Sequence, residues 1–160
     1  MSDIEVLEGG CLCGRIRYCV ATDNREGYYC HCRMCQLAFG NVFASWLNVQ
    51  KSEVSWLNGE PQYYQSSRIA KRGFCSSCGT PLSFAFVDSE RMDLSVGSFD
   101  QPNQIKPVSH FAVETRVAAW HVPDGLPEEC AADYQALNDR WKQAYGEDVN
   151  PGLDAVRQGT

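Results

Sequence analysis

RGFCSSCGTPL, residues 72–82, sets Cys75 and Cys78 three positions apart and follows them with Gly79. That spacing fits a tight turn that aims both sulfurs at one point. A second pair, Cys11 and Cys13, stands upstream in GGCLCGRIRY, residues 9–18. In an extended segment, residues two apart share a face, so these sulfurs present together while Leu12 points away. Two such pairs complete a tetrahedral four-sulfur zinc site. It would tie the start of the chain to a turn near its middle, and zinc binding there would add directly to folding stability.

YYCHCRMCQLAFG, residues 28–40, holds a third cluster, Cys30, Cys32 and Cys35. Cys30 and Cys32 share a face by the same rule, and His31 points to the opposite side. Cys35 comes round on a turn or on the first turn of a helix. Three ligands from one segment, with no local fourth, describe an open metal site. In zinc enzymes the open position takes water or substrate. Three alternatives stand beside this reading. A second structural zinc could be closed by His110, His121 or a distant acid. The three thiols could be metal-free. A thioredoxin-like dithiol at Cys32/Cys35 or Cys75/Cys78 is disfavoured, because such a motif belongs next to a βαβ pattern and none is visible. Cys19 reads as an ordinary strand residue. Cys130 reads as incidental, with Glu128 and Glu129 opposing any lowering of its pKa.

Around these clusters the chain is a series of short β-rich runs. IRYCV (16–20), VFASWLNV (42–49), VSWL (54–57), QYYQ (62–65), LSFAFV (82–87), MDLSVGSF (92–99) and HFAVETRV (110–117) are rich in β-branched and aromatic residues. Several alternate polar and apolar, as half-buried antiparallel strands do. NGEP (58–61), GTP (79–81) and QPNQ (101–104) mark turns between them. A short helix is expected at 33–39. A C-terminal helix is expected to begin at Pro127, Glu128 and Glu129. It would carry Tyr134, Leu137, Trp141 and Tyr145 as an apolar stripe and stop at Gly146. The final NPGLDAVRQGT (150–160) has little pattern and is expected to be mobile.

The 160-residue length suits one domain with a core of its own. A net charge of −6 disfavours nucleic-acid and anionic-membrane partners. The opening MSDIEVLEGG has neither the basic segment nor the apolar core of a signal peptide, and no apolar run reaches bilayer length. A cytoplasmic protein with reduced thiols is expected. Nine cysteines then mean metal or redox chemistry rather than a disulfide frame.

These motifs, in this order, resemble the glutathione-dependent formaldehyde-activating enzyme family, which also contains centromere protein V. The resemblance rests on GGCLCGRIRY (9–18), CHCRMCQLAFG (30–40), NGEPQYYQSS (58–67), RGFCSSCGTPL (72–82) and DGLP (124–127). It implies a mainly β fold of stacked antiparallel sheets, a β-tent, with two zinc ions per chain. Cys11, Cys13, Cys75 and Cys78 match the family's structural site. Cys30, Cys32 and Cys35 match its catalytic site, where zinc keeps an exchangeable fourth position. The family's founding activity joins formaldehyde to glutathione, giving S-(hydroxymethyl)glutathione, and is classed as a carbon–sulfur lyase. Residues 1–127 would form the zinc-binding domain. Residues 128–160 would form a C-terminal helical extension, packed on it or partly mobile.

Three thiolates leave a bound zinc with a net charge of about −1, a weak Lewis acid better suited to holding a thiolate than to making hydroxide. The expected substrates are a small thiol, with glutathione as possible co-substrate, and a small carbonyl. Arg33 and Gln36 are candidates for holding an anionic thiol. Arg68, Lys71 and Arg72 are further cations, each read first as a solvated surface charge. No Ser/His/Asp or paired-carboxylate constellation is legible. The alternative function is a non-catalytic, zinc-stabilised module that binds a protein partner, using Tyr28, Tyr29, Phe39 and Phe43 as an apolar surface.

Overall fold

The computed structural model describes residues 4–152. The chain runs β1 (Val6–Gly10), β2 (Arg17–Ala21), β3 (Glu26–Cys30), α1 (Arg33–Phe39), β4 (Ala44–Gln50), β5 (Val54–Trp56), β6 (Gln62–Ser67) and β7 (Ala70–Phe74). It continues with β8 (Pro81–Phe86), β9 (Arg91–Ser95), β10 (Lys106–Phe111), β11 (Glu128–Glu129) and α2 (Gln135–Tyr145). The strands form a three-stranded sheet, β1-β2-β5, and an eight-stranded sheet, β11-β10-β3-β4-β9-β8-β7-β6. The fold is mainly β, as expected. Pairing is antiparallel except where β10 lies parallel to β3 and to β11.

The larger sheet has two faces with different work. Alternation along β4 and β9 turns Leu47, Val49, Met92 and Leu94 one way. They meet Leu7, Tyr18 and Val20 of the small sheet in a closed apolar core. The opposite face carries Tyr28 against Trp46, then a row across four strands: Asn48, Asp93, Phe84 and Arg72. Cys30 shares this face, two residues from Tyr28. Both helices reach it. Phe39 of α1 packs on Trp46 with ring centroids 4.9 Å apart, and Trp141 and Leu137 of α2 pack with Ile69, Ala70, Phe84 and Phe86.

Most expected strands lie within a few residues of the observed ones, and α1 falls at 33–39 as expected. Two runs end early. The 92–99 run leaves the sheet after Ser95, where the Ser98 hydroxyl donates to the Ser95 carbonyl at 2.8 Å and meets the Tyr18 hydroxyl at 2.6 Å. The 110–117 run ends at Ala112, buried in the left-handed region with φ 57°. Such a conformation costs a residue with a Cβ about 1–2 kcal/mol. Its strand starts four residues before the expected run, at Lys106, and a register shift follows Pro107, which has no N–H for the ladder.

Strands β1, β3, β7 and β11 were not expected, because VLEGG, EGYYC, AKRGF and EE carry glycine or charge where strands usually carry bulk. At Gly9 the reason is close approach. A Cβ there would stand 2.5 Å from the Tyr18 hydroxyl and 2.6 Å from the Ser98 carbonyl. The C-terminal helix also starts later than its sequence signals suggest. Glu128 and Glu129 form an edge strand beside His110 and Phe111, and α2 begins at Gln135. Gly146 closes it as expected, with φ 75° and its N–H on the Lys142 carbonyl. The expectation for 150–160 lies largely outside the described residues.

Candidate metal centres and the cavity beside them

Two turns bring the first four sulfurs together. Cys11 does not sit in an extended segment, as its spacing suggests. The Gly14 N–H bonds the Cys11 carbonyl at 3.1 Å and the Cys11 N–H bonds the Ile16 carbonyl at 3.0 Å, so the loop is a turn with Gly14 at φ 76°. The second turn matches it. The Cys75 N–H reaches the Thr80 carbonyl at 3.0 Å, the Gly79 N–H reaches the Cys75 carbonyl at 2.8 Å, and Gly79 has φ 78°. The Leu12 N–H bonds the Thr80 hydroxyl at 3.0 Å and locks one turn to the other. The sulfurs of Cys11 and Cys13 are 3.5 Å apart, those of Cys13 and Cys75 are 3.8 Å apart, and all four lie within 4.8 Å of one another. Tetrahedral zinc with ligands at about 2.3 Å spaces its sulfurs by about 3.8 Å, so this set fits the ion. The Thr80 hydroxyl and backbone N–H hold the Cys78 thiol down to about 5, ready to ligate as thiolate.

The triad is built differently. Cys30 ends β3, Cys32 is the extended N-cap of α1, and Cys35 lies in the first helical turn, its N–H on the Cys32 sulfur at 3.4 Å. The sulfurs of Cys30 and Cys32 are 3.4 Å apart, and all three lie within 4.8 Å. Among the described residues no fourth histidine, cysteine or carboxylate joins them. Crowding splits the thiols. Contact with Cys32 and Cys35 pushes Cys30 well up, while contact with Cys30 and Cys32, aided by Arg72, holds Cys35 well down. Three sulfurs this close are best served by a cation among them.

His31 points away from the triad, as the alternation demands. Its Nε2 lies 2.8 Å from Nδ1 of His110, whose Nε2 lies 2.9 Å from the Asp124 carboxylate. Asp124 accepts from Nε2–H of His110, so Nδ1 of His110 accepts from His31. Burial pushes His31 down to about 4, so it is neutral at pH 7. Thr115 adds a hydroxyl bond to the His31 carbonyl at 2.9 Å. This His–His–Asp chain was not legible in the sequence, since its members are 79 and 14 residues apart. Only the polar His110 in a strand and the DGLP turn hint at it.

The cations separate. Arg72 is buried rather than solvated, with 9% of its surface exposed. Its Nη2 lies 3.5 Å from the Cys35 sulfur, and its plane stands 4.9 Å over the Phe84 ring. Arg68 holds α2, donating to the Ala144 carbonyl at 3.1 Å. Lys71 lies over Tyr63. The Gln36 amide donates to the carbonyls of His31 at 2.7 Å and Thr115 at 3.0 Å, and Arg33 bonds the Gln36 side chain. Arg33 and Gln36 line a shallow hollow with Trp120, apart from the main cavity.

That cavity opens beside the triad. It measures about 520 Å³ and is lined by all three triad cysteines, Tyr28, Trp46, Phe84, Phe111, Arg72, Asp93 and Trp141. Asp93 is 6% exposed and accepts from the Asn48 amide at 3.1 Å. Burial raises its carboxyl to about 6, against its ordinary 3.8. Sequence patterning hid it as one polar residue in an alternating strand.

A family model for the glutathione-dependent formaldehyde-activating enzyme matches residues 6–115, more than half of the chain. The chain belongs to that family. A Schizosaccharomyces pombe protein named an uncharacterized lyase is 35% identical over 83 residues, 52% of this chain and 60% of the relative. This chain therefore matches somewhat over half of that relative's length. A crystal structure of a Rhodobacter sphaeroides protein aligns with a TM-score of 0.50 and 24% identity, covering 58% of this chain and 87% of the other. That likeness is one of fold. Both cysteine clusters lie on the matched family segment, and the cavity is lined partly by that segment and partly by residues beyond it, Trp141 of α2 among them.

Proposed function

We propose that the protein is a zinc-dependent, lyase-like enzyme that joins a small thiol to a small carbonyl and cleaves the adduct in reverse. The observation that carries this reading is the three-sulfur cluster lining a concave cavity of about 520 Å³. Cys30, Cys32 and Cys35 would hold the reactive ion, and Cys11, Cys13, Cys75 and Cys78 a structural one. When bound at the triad, zinc supplies a site that acidifies and orients a thiol. In the forward reaction the sulfur bonds to the carbonyl carbon, the C=O π pair moves to oxygen, and the thiol proton ends on that oxygen. Asp93 is the cavity carboxyl suited to carry the proton. With a pKa of about 6 it populates both forms near neutral pH. Trp46, Phe84 and Phe111 keep water from the reacting carbon.

Glutathione and formaldehyde are the first pair to test, since the family's name points to them. A concave hollow, rather than a flat apolar face, favours a small molecule over a protein partner. None of the nine cysteines is in a disulfide, which suits the reducing cytoplasm where we place the protein. Among the described residues no helix is long and apolar enough to cross a membrane. The test is adduct exchange followed by NMR, with a panel of thiols and aldehydes and the metal-loaded protein. We expect acceleration with at least one pair, and its loss in Cys32→Ala together with one of two zinc ions and an unchanged circular dichroism spectrum. Two zinc ions retained in Cys32→Ala would sink the triad as a metal site.

A further inference from the structure

The cavity contains donors that the described residues leave unanswered. Nη1 of Arg72 is buried without a hydrogen-bond partner, and so is the indole Nε1 of Trp141. Both residues line the cavity. A third unpartnered atom, Nε of Arg116, lies on a guanidinium already paired with Glu128 at 2.7 Å, so it calls for no ligand. Buried polar groups in native proteins are rarely left unpaired, because each costs about 1–3 kcal/mol.

Arg72 is also without a carboxylate. Its one polar contact is the Cys35 sulfur, through Nη2. The buried acid of the cavity, Asp93, is occupied by Asn48 at 3.1 Å. Register places Asp93 and Arg72 on the same row with Phe84 between them, so the two charges do not neutralise each other by contact. Arg91 and Arg140 also line the cavity, but Arg91 bonds Asn48 and Arg140 bonds Asp88 at 2.8 Å. Glu129 and a few serines and asparagines complete the polar part of the wall, and aromatic and aliphatic side chains make up most of the remainder.

We propose that Arg72 is the anion-recognition residue of this cavity, and that the ligand is a compact carboxylate with an apolar or aromatic body. One carboxylate oxygen would take the free Nη1 hydrogen, and the body would fill the space between Trp46, Phe84, Phe111 and Trp141. The Trp141 N–H serves an acceptor atom of the same ligand. This rests on the reading of the cavity as the substrate site, and it narrows the thiol to one carrying a carboxylate.

The test uses probes with neither sulfur nor aldehyde, so it stands apart from the thiol–carbonyl reaction. The metal-loaded full chain is titrated calorimetrically with 3-phenylpropanoate and with the neutral 3-phenylpropanamide at pH 7.5. A charge-assisted hydrogen bond worth about 1.5–3 kcal/mol predicts that the carboxylate binds about 10–150-fold more tightly than the amide. Arg72→Gln should erase that preference while leaving amide affinity within about twofold, and Arg72→Lys should keep part of it. Equal affinities in the wild type overturn the proposal, as does failure of both probes to bind. A preference that survives in Arg72→Gln overturns it in favour of Arg91 or Arg140. Loss of adduct exchange with every thiol and aldehyde, beside an intact carboxylate preference, would instead sink the enzymatic reading alone.

Discussion

Replacing Asp93 by Asn should make the protein more stable, and the gain should grow with pH. Asp93 is buried in the cavity wall, and its carboxyl is raised from 3.8 to about 6, chiefly by burial. A raised folded-state pKa means that the folded protein favours the protonated acid. Stability linked to this group is therefore whole below pH 3.8 and is lost as pH climbs through about 6. That rise in pKa corresponds to about 3 kcal/mol of penalty at pH 7.5 and above, and about half as much at pH 5. Asparagine removes the titration, keeps the shape and can still meet Asn48 and Tyr28 through its amide. Urea unfolding of both proteins, metal-loaded and measured in parallel from pH 5 to pH 8, isolates the effect because metal-linked protons cancel in the difference. With a slope of about 2 kcal/mol per molar, the midpoint gap should widen from about 0.8 M to about 1.5 M. A gap that is flat with pH, or a variant less stable at pH 8, would refute the burial argument. Adduct exchange should fall in the same variant, so the residue trades stability for proton transfer.

Three other perturbations probe separate parts of the molecule. Cys75→Ala, at a fully buried sulfur, should drop zinc from two ions to one and leave little folded protein by circular dichroism, because structural zinc binding is folding free energy. Trp141→Ala should cost about 3–5 kcal/mol by urea unfolding, and a loss under 1 kcal/mol would show that α2 adds nothing to the sheet's stability. His110→Ala strands the buried His31 N–H, so melting should fall by about 2 kcal/mol, or roughly 4–8 °C, with two zinc ions retained. An unchanged melting point would rule out a structural role for the His–His–Asp chain.

What the sequence reveals of this site follows the range over which each part is built. The cysteine clusters that could hold metal were legible because the pieces of each are local. Two sulfurs aim together within one turn, and Gly79 or the first turn of α1 sets their direction. The misread posture of Cys11 did no harm, since a turn and an extended segment both converge residues two apart. The cavity wall was illegible for the opposite reason. Asn48, Asp93, Phe84 and Arg72 come from four strands, and they share a face only because three strand registers agree. One residue of slip in β7 would turn Arg72 away from the triad and put Gly73 or Lys71 in its place. Arg72 in RGF therefore reads as an ordinary surface cation until pairing is known. The same pairing explains why one sheet supports both stability and chemistry. Its first face is closed by the small sheet with mainly apolar residues. Its second face is closed by helices that leave a hollow, and there the buried acid and the buried guanidinium have no mutual contact to neutralise them. A fold optimised only for stability would pair or delete those two charges. Their separation across Phe84 would keep the proposed proton carrier and the proposed anion receptor independent, and a bound carboxylate should stabilise this fold in proportion to the donor it satisfies.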